Sequence, residues 1–139
     1  MTAADSGTET HTATCTCGSF RLKVRGAPER VYACACLECQ KATGSAFAYR
    51  ALYSKQAIVF DEGDKRRFRR ITDTGRWMDQ VFCPNCGTLI YMEAEVIEDK
   101  RVISIGCFGE PDFPRPASIF WSRRRHDWYQ LDEDIVAVD

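Results

Sequence analysis

Between Phe20 and Arg25 apolar and charged positions alternate one for one, with Phe20, Leu22 and Val24 set against Arg21, Lys23 and Arg25. Successive side chains of a strand point to opposite faces, so this period of two predicts a half-buried strand. Short apolar runs follow at Val31 to Cys34, Ala46 to Tyr53, Ala57 to Phe60, Lys65 to Ile71, Trp77 to Phe82, Leu89 to Glu93, Arg101 to Cys107 and Ser118 to Trp121, parted by glycine, proline and acidic residues. Only Leu37 to Thr43, stopped by Gly44, has the character of a helical turn or two. Many short strands with turn signals between them, and no long helical windows for parallel crossovers, predict a mainly β fold of antiparallel sheets.

A chain of 139 residues can bury one hydrophobic core without staples. No repeat, linker or low-complexity block interrupts it, so one domain is expected over residues 13–131. Residues 1–12 are small and polar without periodicity and are expected to form a disordered tail; the acidic residues 132–139 are expected to fray. His11 then belongs to the tail and His126 to a charged run, both facing solvent. The N-terminus lacks a basic region followed by an apolar one, and no window approaches the roughly 18 apolar residues a bilayer requires. A cytoplasmic protein without a membrane partner is expected. The formal charge of −1 argues against nucleic acid as a partner, and reads the Arg123 to Arg125 run as a solvated basic face.

The eight cysteines change the picture most. In a reducing compartment thiols stay free unless a metal or a catalytic task employs them. They fall into Cys15-x-Cys17, Cys34-x-Cys36-x-x-Cys39 and Cys83-Pro84-Asn85-Cys86-Gly87, with Cys107 alone. The last group is a metal knuckle supplying two sulfurs, with Gly87 free to take a positive φ. A closed tetrahedral zinc needs two more, and Cys15 and Cys17, on one face of a strand, are the natural partners. The middle group offers three sulfurs, Cys34 and Cys36 on one strand face and Cys39 from the following turn. Three ligands leave a zinc ion one open position for a substrate atom, the mark of a catalytic site. A second structural zinc, completed by Cys107 or another side chain, is the competing reading. Cys107 itself, sharing a strand face with Ile103 and Ile105, reads as a core thiol. Two ions held by seven thiolates take the formal charge to about −4, and Lys41 or Arg50 could offset that charge or hold an acidic substrate. Phe47, Phe82 and Trp121 read as core aromatics.

The three motifs Cys15-Thr16-Cys17-Gly18, Cys34 to Ser45 and Phe82-Cys83-Pro84-Asn85-Cys86-Gly87 stand in an order that resembles the glutathione-dependent formaldehyde-activating enzyme family, which includes centromere protein V relatives. The resemblance runs from Cys15 to Trp128. It implies an Mss4-like fold, the β-tent of folded antiparallel sheets, with a short helical turn after the middle cysteine cluster. It also implies two zinc ions per chain, one structural on Cys15, Cys17, Cys83 and Cys86 and one catalytic on Cys34, Cys36 and Cys39. The implied activity is that of a carbon-sulfur lyase joining a thiol such as glutathione to a small aldehyde. Ala35 stands where a histidine is frequent in the family, and Ala117-Ser118-Ile119 where a histidine commonly precedes the final strand.

Two further readings compete with the lyase. A non-catalytic module that binds glutathione or a protein would use zinc only to fold. A methionine sulfoxide reductase would need Cys107 as nucleophile, but Ile105-Gly106-Cys107-Phe108-Gly109 lacks the arginine and asparagine context of such a site.

Overall fold

A computed structural model describes residues 9–139. The first strand is β1 (Thr10–Thr14) and the second β2 (Arg21–Arg25), followed by β3 (Arg30–Cys34), helix α1 (Leu37–Thr43) and β4 (Ala48–Ser54). Then come β5 (Ile58–Glu62), β6 (Arg66–Ile71), β7 (Trp77–Phe82), β8 (Leu89–Ala94) and β9 (Lys100–Ser104), and last β10 (Ser118–Phe120) and β11 (Val136–Val138). Strands β1, β2 and β5 make a three-stranded antiparallel sheet, and the rest make an eight-stranded sheet in the order β11-β10-β3-β4-β9-β8-β7-β6. The mainly β expectation therefore holds, and the predicted strands reappear with most ends shifted by one or two residues.

The alternation in β2 buries Leu22 and Val24 and exposes Arg21 and Arg25. With Phe20 they form one wall of the principal core, against Ala51 and Tyr53 of β4, Val81 of β7 and Ile103 of β9. The small sheet thus packs on one face of the large one. No helix among the described residues is long and apolar enough to cross a membrane.

Four expectations need correction. Residues 1–8 lie outside the described residues, but the predicted tail does not extend to residue 12: Thr10–Thr14 is a strand in antiparallel register with β2. Its threonines hide a period of two that turns His11 and Ala13 inward. His11 is 7% exposed, its Nδ1 2.8 Å from Glu110 Oε2 and its Nε2 3.1 Å from Glu9 Oε1, and it packs against the stacked rings of Phe108 and Phe113. At the other end Val136–Val138 pairs in parallel with β10, anchored by Val136 N–H donating to Ala117 O, so the acidic tail closes the large sheet. That sheet is mixed, because β10 also runs parallel to β3. Finally, the Arg101 to Cys107 run leaves the strand after Ser104 and turns as a 3-10 helix over Ile105–Phe108, so Cys107 does not share a strand face with Ile103.

One glycine lets the turn after β5 approach the first cysteine turn closely. Gly63, between β5 and β6, has φ +101°, and a Cβ there would lie 1.9 Å from the carbonyl oxygen of Ser19. Both the conformation and the close approach require glycine.

Candidate functional site

Cys15 and Cys17 do not lie on a strand. They occupy the turn joining β1 to β2, where Gly18 N–H donates to Cys15 O at 3.0 Å and Phe20 N–H donates to Cys15 Sγ at 3.3 Å. A similar turn joins β7 to β8, with Gly87 N–H donating to Cys83 O at 2.8 Å and Gly87 at φ +79°. The two turns meet where Thr16 N–H donates to Thr88 Oγ1 at 3.2 Å. The four sulfurs of Cys15, Cys17, Cys83 and Cys86 all lie within 4.8 Å of one another. Cys15 to Cys17 is 3.5 Å and Cys17 to Cys83 is 3.7 Å. A tetrahedral ion with metal-sulfur bonds of about 2.3 Å has an edge of about 3.8 Å, so the donor set fits a zinc-sized ion.

The surroundings favour the thiolate at two of these sulfurs. Cys86 is pulled down to about 5, first by the Thr88 hydroxyl and then by backbone N–H groups of Thr88 and Cys17. Cys17 falls to about 7 through the Asn85 side chain and then the Ser19 hydroxyl. Burial pushes Cys15 the other way, which a cation placed among the sulfurs reverses.

The second cluster is built differently. Cys34 ends β3; Cys36 is the N-cap of α1, its sulfur accepting from Cys39 N–H at 3.3 Å; Cys39 lies in the first helical turn. Cys36 fills the role that serine or aspartate usually takes at such a cap, so it does not share a strand face with Cys34 as the spacing suggested. Gln40 locks the loop, donating from Nε2 to Ala35 O at 2.8 Å and to Arg124 O at 3.0 Å. Ala35 N–H donates to Phe120 O, so β10 supports the loop from behind. The three sulfurs lie within 4.8 Å of one another, and no fourth cysteine, histidine or carboxylate joins them among the described residues. Cys107 does not complete the set: it packs against the principal core, its sulfur 3.6 Å from Leu89 O, and burial raises it to about 11. Cys36 is held well below the ordinary thiol range, chiefly by the thiol of Cys34 donating to it, then by that of Cys39; Cys34, as donor, is pushed up. Three sulfurs this close together are a ready cation ligand set.

This triad opens on a groove of about 910 Å³. Arg30, Tyr32 and Cys34 line it from β3, where they alternate onto one face, and Arg50 and Leu52 line it from β4, opposite Tyr32 and Arg30. Arg70 and Met78, a cross-strand pair of β6 and β7, line it from the far end of the large sheet, which therefore curves around the groove. Trp121 and Arg124 close it after β10. Trp121, 42% exposed, is the one non-glycine residue with positive φ (54°) among the described residues. Such strained backbone concentrates at functional sites.

The candidate side chains around the triad now separate. Lys41 points to solvent and pairs with Glu38 at 3.6 Å, while Arg50 is buried in the groove. Phe47 stacks on Tyr129 in a second core, as expected of a core aromatic, but Trp121 belongs to the groove. Arg30, Tyr32, Arg70 and Arg124 join the groove without any motif in the sequence to mark them. The first two are within reach of sequence reasoning, since positions 30, 32 and 34 share a strand face; Arg70 and Arg124 come from elements distant in sequence.

Residues 10–124 match the family model described as glutathione-dependent formaldehyde-activating enzyme. No curated protein matches the chain. Among solved structures, the crystal structure of a Rhodobacter sphaeroides protein is similar over 74% of this chain and 90% of that one, with a TM-score of 0.56 at 17% identity. At that identity the likeness bears on the fold alone. The family match begins on β1 and ends at Arg124, and so takes in both cysteine clusters and the residues that frame the groove. By a match that long, placed over that site, the chain belongs to the glutathione-dependent formaldehyde-activating enzyme family.

Proposed function

We propose that the protein is a zinc-dependent carbon-sulfur lyase that reversibly joins a thiol such as glutathione to a small aldehyde. In this reading Cys34, Cys36 and Cys39 hold a catalytic zinc, and Cys15, Cys17, Cys83 and Cys86 hold a structural one. The single observation that carries it is the contrast between the clusters: four sulfurs form a closed set, whereas three face a groove with room for a substrate. All-sulfur donor sets without histidine or carboxylate suit zinc.

Zinc on the triad supplies a lowered thiol pKa, so that the co-substrate is a thiolate at neutral pH. The residues of the chain do the rest. Cys36, fixed as an N-cap, and Cys34, fixed at a strand end, set the direction from which a ligand sulfur approaches. The groove between β3, β4 and the β6–β7 hairpin holds the aldehyde against that sulfur. The sulfur lone pair forms the carbon-sulfur bond, the carbonyl π pair moves to oxygen, and a solvent proton neutralises it; the reverse sequence releases aldehyde and thiol. No nucleophile of the chain is consumed. A single domain in a reducing compartment such as the cytoplasm suits the eight unpaired cysteines.

Native mass spectrometry with and without glutathione tests the reading. Two zinc ions per chain, and a glutathione adduct that disappears in Cys36→Ser, are expected. One zinc and no adduct would favour the non-catalytic binding module.

A further inference from the structure

We infer that Arg50 is the seat for a carboxylate of the thiol co-substrate, so that the reaction selects acidic thiols. The inference rests on the proposed thiol chemistry of the neighbouring triad. A buried arginine is normally paired, because an uncompensated guanidinium away from water is costly. Arg101 obeys this: its side chain is 12% exposed and meets Asp61 at 2.9 Å and Glu93 at 3.3 Å. Arg50, 5% exposed, does not. Its Nη2 is shielded from solvent without a hydrogen-bond partner, and it makes no ion pair among the described residues.

The groove explains why Arg50 stands without a carboxylate, though the Tyr32 hydroxyl is beside it. Arg30, Arg70 and Arg124 also line it and also make no ion pair among the described residues, while the carboxylates present are Glu38, already paired with Lys41, and Asp73. A planar guanidinium with free donors matches a carboxylate in a two-point contact. The register sets the side. Arg50 lies opposite Tyr32, and Cys34 is two residues further along the same face. A carboxylate seated on Arg50 and a sulfur at the triad therefore lie in one groove, which an acidic thiol can occupy at both points and a neutral thiol cannot.

The test is calorimetric titration of S-methylglutathione, whose sulfur is blocked, and of its diethyl ester, into the metal-loaded wild type, Arg50→Gln and Arg50→Lys, with zinc counted by mass spectrometry for each. The diacid is expected to bind the wild type at least about 10-fold tighter than the diester, as a charge-assisted pair implies. Arg50→Gln should abolish that preference at unchanged zinc content, and Arg50→Lys should restore only part of it. Equal binding of acid and ester by the wild type overturns the seat, whatever the variants do. So does no binding of the diacid, or a preference undiminished in Arg50→Gln. If Arg50→Gln loses zinc and keeps the preference, the residue only balances the thiolates. An acid preference without any glutathione adduct would overturn the lyase reading and leave the seat, and an adduct without acid preference would do the reverse.

Discussion

At the scale of single residues, the same side chain does different work in the two clusters. Cys83 is completely buried and belongs both to the four-sulfur set and to the principal core, whereas Cys36 faces the groove at a helix cap. Cys83→Ser is therefore expected to unfold most of the protein at 37 °C, since metal-binding free energy at such a site is folding free energy. Cys36→Ser is expected to keep its melting temperature within a few degrees of wild type while losing the proposed groove metal and the proposed lyase activity. Thermal melts followed by circular dichroism, paired with a thiol-consumption assay, check both. Equal unfolding of the two variants would sink the division between catalytic and structural sites. The spacing of these cysteines along the chain is enough to sort them into a four and a three. Their local conformations are less legible, because Cys-x-Cys is compatible with a strand face, a tight turn or a strand end followed by a helix cap, and backbone hydrogen bonds to Phe20 and Gly18 decide among them.

At the scale of elements, the β6–β7 hairpin brings Arg70 and Met78 to the groove and is tied down by a buried carboxylate. Asp79 Oδ1 accepts from Arg69 Nε at 2.8 Å and Oδ2 from Arg69 Nη2 at 3.1 Å, with Arg67 Nη1 at 3.4 Å. These bonds, Arg69 first, hold the Asp79 carboxyl below its ordinary value of 3.8. A carboxyl whose folded pKa is depressed contributes stability that is fully present above the unfolded value and is lost as pH falls through the lower folded value. Asp79→Asn should therefore cost about 1 to 3 kcal/mol near pH 7, and the cost should shrink below about pH 4. Urea melts at pH 7 and pH 3 measure it; an equal loss at both would refute the assignment. Most strands are legible because alternation survives even in short runs. The two terminal strands are not. Thr10–Thr14 has no aliphatic residue beyond Ala13, and Val136–Val138 is too short to carry a period, so both depend on a partner strand that lies far away in sequence.

Across the whole molecule, the four-sulfur set ties the β1–β2 turn to the β7–β8 turn, which join different sheets, while the three-sulfur set spans only the end of β3 and the start of α1. Loss of the first releases a long loop; loss of the second releases almost none. A chelator should accordingly act in two stages. The groove ion, held by fewer sulfurs, leaves first with little change in Tm, and removal of the second ion then lowers Tm by more than about 10 °C. Scanning calorimetry with metal counting during chelation follows both stages, and a single loss of both ions together with the fold would contradict the scheme.

The amino-acid sequence by itself determined the mainly β class, the position of most strands, the short helix at Leu37–Thr43, and the partition of seven cysteines into two metal-competent groups. These follow from local chemistry: side-chain alternation, a glycine stop and sulfur spacing act within a few residues. Tertiary structure alone decided that Arg50 rather than Lys41 faces the triad, and that Arg70 joins the groove from the edge strand β6 and Arg124 from the turn after β10. Which side chains face one groove depends on strand order and sheet curvature, and both are set by packing between residues that the chain keeps far apart.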